Sequence, residues 1–217
     1  MRCDPLSKTS THIVDYGLGN LLSISRALEA VGSGATLSDS GDALLAAERI
    51  ILPGVGAFPV AIDALEDRGL ISVLRLAARQ GIPILGLCLG MQLLFDGSEE
   101  FGYTSGLGLI HGRVERIVRL PESGALRSTH TAWRKLEWEE NVTKSLHIKG
   151  GNPGSLYFVH SFFAKPIDSS DIWATVDYGG LKVPAVVGKL NVWGFQFHPE
   201  KSREAGLRLL ESFVRQT

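Results

Sequence analysis

An α/β architecture, with a mostly parallel central sheet flanked by helices and a mixed or antiparallel C-terminal portion, follows from three features of this 217-residue chain. From about Thr11 to Val118, short apolar runs alternate with segments whose apolar residues recur at helical spacing, the pattern of right-handed βαβ crossovers. After Ile117 strand-like runs follow one another with little helix between them, and the chain closes on one amphipathic helix. Composition shifts only gently near residue 118, with no linker, so residues 1–217 read as a single domain.

HIVDY (His12–Tyr16) reads as the first strand. Leu21, Ile24, Leu28 and Val31 then share one helical face before Gly32, which suits the position just past a helix end. RIIL (Arg49–Leu52) is a buried strand stopped by Pro53-Gly54, and Leu70, Val73, Leu74 and Ala77 line the next helix, with Gly81 as its stop. IPILGL (Ile82–Leu87) is apolar throughout, as a strand buried on both faces should be, and Leu89–Phe95 looks helical. In the second half RLPESGALRSTH is polar and turn-rich, KLEW, LYFVH, IWATV, PAVV and VWGFQF read as strands, and Lys149–Ser155 reads as a loop. Ser202 is placed to cap the last helix, with Leu207, Leu210, Phe213 and Val214 as its buried stripe.

Lys+Arg 22 against Asp+Glu 23 removes the electrostatic reason to expect nucleic acid or an anionic membrane as partner. The longest charge-free stretch, 80–95, is interrupted by Pro83 and three glycines and falls short of the ~20 residues a membrane span needs. MRCDPLSKTST has no apolar secretory core, which predicts a cytoplasmic setting, where Cys3 and Cys88 stay reduced.

Gly86-Leu87-Cys88-Leu89-Gly90 sets a thiol between two glycines where a buried strand turns into a helix, a nucleophile elbow with Cys in place of Ser. Such a turn lifts the sulfur out of the sheet, the glycines leave room for close packing, and the helix start presents its N–H groups to the thiolate, the attacking species. Among the six histidines, none stands at metal-ligand spacing with another His or with Cys, so no metal site is predicted. His198, in GFQFHPEKS, ends an apolar strand with Glu200 two positions on, where a carboxylate can orient the imidazole and stabilise the imidazolium. His160, in FVHSF, is the competing base, but no carboxylate follows it before Asp168, which ranks it as a pocket residue. The Leu89 N–H is a natural oxyanion donor, and the glycines of Pro53-Gly54-Val55-Gly56 allow the Val55 N–H to swing inward as a second, although the segment reads equally well as a plain turn. In Gly17-Leu18-Gly19-Asn20-Leu21-Leu22, Leu22 stands where a dinucleotide fingerprint needs its third glycine, so no nucleotide cofactor is supported.

DYGLGNLLS, ILPGVGAF, GLCLGMQLLF and GFQFHPEKS together resemble the class I glutamine amidotransferases, a flavodoxin-like family, over about Ile13 to Phe213. SEE, GLGLIHGRV, YFVHS and HPEKS bring the chain nearest to those members that feed ammonia to a cyclase of histidine biosynthesis. The resemblance implies Cys88 as nucleophile on the glutamine amide, His198 as base and then acid, Glu200 as its orienter, and Gly54, Val55 and Leu89 as the oxyanion loop and elbow. It implies Gln92, His160, Ser161 and Phe162 as lining for L-glutamine, Asn20 and Lys201 as positions facing the cyclase, and no metal or organic cofactor. That cyclase is a (β/α)8 barrel in the family; a barrel needs about 250 residues, so a separate chain in a heterodimer is implied. Two departures stand out. Residues 1–11 precede the apolar part of the first strand as an irregular extension, and His130-Thr131-Ala132-Trp133 carries Ala132 where the family has Gly. The rivals are a glutaminase serving another synthase, a stand-alone Cys-His-Glu amidohydrolase such as a γ-glutamyl hydrolase, and a non-catalytic binding module.

Overall fold

A computed structural model describes residues 10–117, 129–139 and 153–216. Its strands are β1 (Ser10–Val14), β2 (Gly34–Ser38), β3 (Arg49–Leu52), β4 (Ile84–Leu87), β5 (Gly97–Ser98), β6 (Thr104–Ser105), β7 (Gly112–Arg116), β8 (His130–Lys135), β9 (Glu137–Trp138), β10 (Ser155–His160), β11 (Phe162–Pro166), β12 (Ile172–Tyr178), β13 (Leu181–Lys189) and β14 (Val192–Phe195). The helices are α1 (Leu21–Ala30), α2 (Gly41–Leu45), α3 (Phe58–Glu66), α4 (Leu70–Arg79), α5 (Leu89–Leu93) and α6 (Arg203–Val214).

The principal sheet runs β2-β1-β3-β4-β14-β13-β12-β9. Pairing is parallel from β2 to β14 and antiparallel from β14 outward. β3 and β4 are buried at every position, the unbroken apolarity of β4 predicting it and Arg49 being the one charged residue drawn in with β3, because helices cover both faces. Ile13, Ile51, Leu85, Trp193 and Phe195 pack on the α1 and α6 side, while Val14, Ile50, Leu52, Ile84 and Val192 pack on the α3 and α4 side. The two core clusters are therefore the two faces of one sheet, divided by the twofold alternation of strand side chains.

Several expectations shift. The first strand is Ser10–Val14 rather than His12–Tyr16, since pairing with both β2 and β3 draws Ser10 and Thr11 into the ladder and lets Asp15 and Tyr16 turn away. Residues 10 and 11 thus leave the supposed N-terminal extension; residues 1–9 lie outside the described residues, as do 119–128 of the turn-rich segment and 149–152 of the loop. β2, α2 and α3 were not among the expected elements, although Phe58, Ala61, Ile62 and Leu65 of α3 fall at helical spacing. In α6 Leu207 is only partly buried and Leu209 takes its place beside Leu210, Phe213 and Val214. Ser202 flanks α6 but its side chain makes no cap; it turns back instead, donating to the His198 carbonyl at 2.6 Å and accepting from the Tyr157 N–H at 2.9 Å. Ala132 sits within β8, paired with Phe158 of β10, a regular strand that carries a Cβ without strain.

Candidate active site

Three neighbouring parallel strands, β3, β4 and β14, end at one edge of the sheet, and each hands the chain to a loop that reaches the same place. After β3 comes Pro53-Gly54-Val55-Gly56, after β4 comes Cys88, and after β14 comes His198. The elbow forms because Gly86, Gly90 and Gly54 permit very close approach. A Cβ on Gly54 would meet the Gly90 nitrogen at 2.6 Å, and one on Gly90 would run into the Leu52 carbonyl. Cys88 adopts φ 55°, ψ −110°, outside the comfortable regions for a residue with a side chain. Its N–H donates to the Phe195 carbonyl at 2.7 Å, which ties the strained turn to β14.

His198 is held from the opposite direction. Its N–H donates to the Tyr157 carbonyl at 3.0 Å, and Ser202 grips its own carbonyl. The Nδ1–H donates to Glu200 Oε1 at 2.9 Å, which leaves Nε2 for its hydrogen bond with the Cys88 sulfur. Burial opposes the charged ring, but the hydrogen bonds from Cys88 and Glu200 and their charges outweigh it, raising the His198 pKa to about 10. Glu200 is 1 % exposed at its side chain, so this pair is shielded from solvent.

Cys88 and His198 open on a cavity of about 340 Å³ whose lining includes Val55, Leu89, Gln92, His160, Ser161, Phe162 and Lys201. The triad, the elbow and the pocket residues expected from sequence are thus brought together. Gly54 lies beneath the cavity against the elbow, and Glu200 stands behind His198. Lys201 reaches the rim with its ammonium 6.0 Å from the Tyr157 ring, whereas Asn20 is exposed at the start of α1 and does not line the cavity.

The pocket residues are more committed than their spacing suggested. Gln92 Nε2 donates to the Phe162 carbonyl at 3.0 Å and to Gln196 Oε1 at 3.1 Å. Ser161 Oγ pairs with Thr129 Oγ1 at 2.8 Å. His160 Nδ1 donates to the Phe162 carbonyl at 2.8 Å and its Nε2 meets His130 Nδ1 at 3.1 Å, so it is bound into the wall rather than poised as a base.

Sequence reasoning overlooked three residues. Glu100 supplies the carboxylate of the cavity lining and accepts the Phe58 N–H at 2.8 Å; SEE was noted, but nothing local aims it here. Tyr16 is buried and donates to the Pro53 carbonyl at 2.7 Å, bracing the glycine loop; burial first, then the charge of Cys88, raises its pKa and keeps the hydroxyl protonated. Gln196 is fully buried beside the thiol, and a lone amide within VWGFQF was the available signal. Among the described residues no cluster of His, Cys, Asp and Glu suits a metal ion, and no helix is long and apolar enough to cross a membrane.

Residues 12–217 match the family Glutamine amidotransferase class-I. Imidazole glycerol phosphate synthase subunit HisH of Geobacillus kaustophilus is 44% identical over 203 residues, covering 93% of this chain and 94% of that protein. The HisH subunit of Synechococcus elongatus is 43% identical over 204 residues, covering 94% of this chain and 92% of that protein. Among solved structures, PurLQS from Thermotoga maritima superposes with TM-score 0.70 at 23% identity over 95% of this chain and 98% of that one. The glutaminase domain of Trypanosoma brucei CTPS with bound acivicin gives 0.62 at 16% identity over 96% and 95%. At these identities the structural matches speak to the fold, which is of the same kind.

Proposed function

The chain belongs to the class I glutamine amidotransferases, and from that premise we propose that it is the glutaminase subunit of an imidazole glycerol phosphate synthase, with Cys88, His198 and Glu200 as its triad. It hydrolyses L-glutamine to glutamate and ammonia and passes the ammonia to a cyclase subunit in histidine biosynthesis, working in the cytoplasm as one domain over residues 1–217. The observation that carries this reading is His198 bonded at once to the Glu200 carboxylate and the Cys88 sulfur at the floor of one cavity.

The chemistry follows from these positions. With its pKa raised to about 10, His198 is the group that takes and holds the proton of the Cys88 thiol as the sulfur becomes the nucleophile. The sulfur attacks the side-chain amide carbon of glutamine, and the carbonyl electrons move onto oxygen. The Leu89 N–H at the start of α5 and the Val55 N–H, the latter after rotation of its peptide between Gly54 and Gly56, receive that oxyanion in this reading, and both residues line the cavity. His198 then protonates the departing nitrogen, ammonia leaves, and a thioester remains. A water that gives its proton to His198 attacks the thioester, and glutamate departs with Cys88 restored. Glu200 keeps the imidazole aimed and compensates its charge throughout.

Gln92, His160, Ser161 and Phe162 shape the glutamine pocket, and the Glu100 carboxylate suits the substrate's ammonium group. Asn20 and Lys201 face the cyclase, which is a (β/α)8 barrel in this reading. Neither metal nor organic cofactor enters the steps above. The test is ammonia release from glutamine by the purified chain, with and without the cyclase and its nucleotide substrate. Turnover that rises when both are added supports the proposal. Strong turnover indifferent to the cyclase assigns a stand-alone hydrolase, and Cys88→Ala that leaves every measured function intact assigns a binding module.

A further inference from the structure

Gln196 has no part in the steps above, yet it is fully buried, and a buried amide must find partners. Its position follows from the alternation of β14. Trp193 and Phe195, with Phe197 beyond them, enter the core on the α1 and α6 side. Gly194 faces the other side, where a Cβ would meet Met91 Cγ at 2.6 Å. Gln196, two residues past Gly194, continues that second face and comes to rest under α5, beside the elbow.

Which end of its amide faces the sulfur is settled by a chain of hydrogen bonds. The Phe162 carbonyl can only accept, and it receives His160 Nδ1–H at 2.8 Å and Gln92 Nε2–H at 3.0 Å. Gln92 therefore presents nitrogen, and its second N–H, directed at Gln196, must meet oxygen, Oε1 at 3.1 Å. The remaining end of Gln196 is its NH₂ group, with Nε2 lying 3.9 Å from Cys88 Sγ. One main-chain carbonyl thus determines that the nucleophile faces a donor rather than a lone pair.

We propose that Gln196 is a second support of the nucleophile, its amide N–H holding the Cys88 thiolate in the attack position and its aim set through Gln92 by the Phe162 carbonyl. This rests on the reading of Cys88 as nucleophile. An N–H aimed at a largely buried sulfur favours the charged atom, and His198 and Gln196 contact that atom as separate donors. A purely structural amide would need no particular end turned to the thiol.

The test uses Gln196→Met, similar in length and without a donor, in a Cys3→Ser background so that Cys88 is the single thiol. Alkylation of Cys88 by iodoacetamide at neutral pH should slow about 5-fold, the factor one hydrogen bond of ordinary net strength supplies. With the cyclase present kcat should fall by a similar factor while KM for glutamine stays unchanged, because Gln196 contacts the sulfur and does not line the cavity. A folded Gln196→Met chain with wild-type alkylation and kcat overturns the proposal. Should that variant not fold, the Cys3→Ser chain decides by NMR: alkylation of Cys88 should move the Gln196 side-chain amide resonance, and an unmoved resonance overturns the proposal. Failure of the underlying reading looks different, since the chain with Gln196 intact would then not be labelled at Cys88 by an electrophilic glutamine analogue.

Discussion

Two histidines border one cavity, similarly buried but different in charge: His198, paired with Glu200, and His160, paired with His130 behind it. His198 is 5 % exposed, while His160 and His130 are 6 % and 0 % exposed, so burial does not distinguish them. The difference lies in what each ring faces. His198 points one nitrogen at a carboxylate and the other at a thiol, and its pKa is raised to about 10. His160 faces a carbonyl and another histidine; burial outweighs the carbonyl bond, the charges of His130 and His198 add to it, and its pKa falls to about 3. His130, stacked between Phe158 and Tyr178, falls to about 4 through burial and then the charge of Arg134. A neutral His160 must donate through Nδ1 to the Phe162 carbonyl and accept at Nε2, so His130 donates through Nδ1. One pair is built to hold a proton for chemistry and the other to hold a wall in shape.

The largest expected effects test that division directly. Removing the sulfur or the charged ring, by Cys88→Ala or His198→Ala, should cut glutamine hydrolysis on the order of 10⁴-fold or more in a steady-state ammonia assay. His130→Phe, which keeps the stacking, should cost far less; equal losses would erase the distinction. Next comes Glu200→Gln, which should lower kcat about 10²- to 10⁴-fold by loosening the ring and withdrawing its counter-charge. In the same variant the imidazole NMR titration of His198 should move from about 10 toward 6.5, the value of an unperturbed histidine.

Smaller effects lie in the pH dependence of stability. The raised His198 pKa contributes stability that is complete below pH 6.5 and is lost as pH climbs through about 10. The lowered pair works in the opposite sense: its contribution is complete above pH 6.5 and is lost as pH falls toward about 4 for His130 and about 3 for His160, because only the unfolded chain then takes up their protons. Thermal melting should therefore peak near pH 6.5 and decline on both sides. His130→Phe should flatten the acid limb alone, by about 2–4 °C near pH 5. An acid limb untouched by that substitution would mean the pair is not the group titrating.

Much of this was legible in the sequence. RIIL emerges as β3 at both ends, and the elbow and the His-Pro-Glu segment lie where their local chemistry places them, because glycine approach, apolar runs and short spacings are properties of neighbours along the chain. β2 and α2 were not anticipated because short elements at the sheet margin owe their form to what they pack on rather than to their own pattern, whereas α3 carries Phe58, Ala61, Ile62 and Leu65 at a spacing that would have revealed it. The partial exposure of Leu207 in favour of Leu209 is a rotation of one helix face, which spacing leaves open and docking decides.

Residue identity and short-range spacing determined the thiol at its glycine bend, the imidazole with its carboxylate two positions on, and the alternation that builds a parallel sheet. Only the tertiary structure decided that β14, from the far end of the chain, slots beside β4 in parallel and delivers His198 to Cys88. It alone decided the charges of His198, His160 and His130 and the aim of Gln196, since a proton's affinity and an amide's orientation depend on which groups surround them in space. Those neighbours lie 30 to 108 residues away along the chain for the pairs His130–His160 and Gln196–Cys88, beyond the reach of any local pattern.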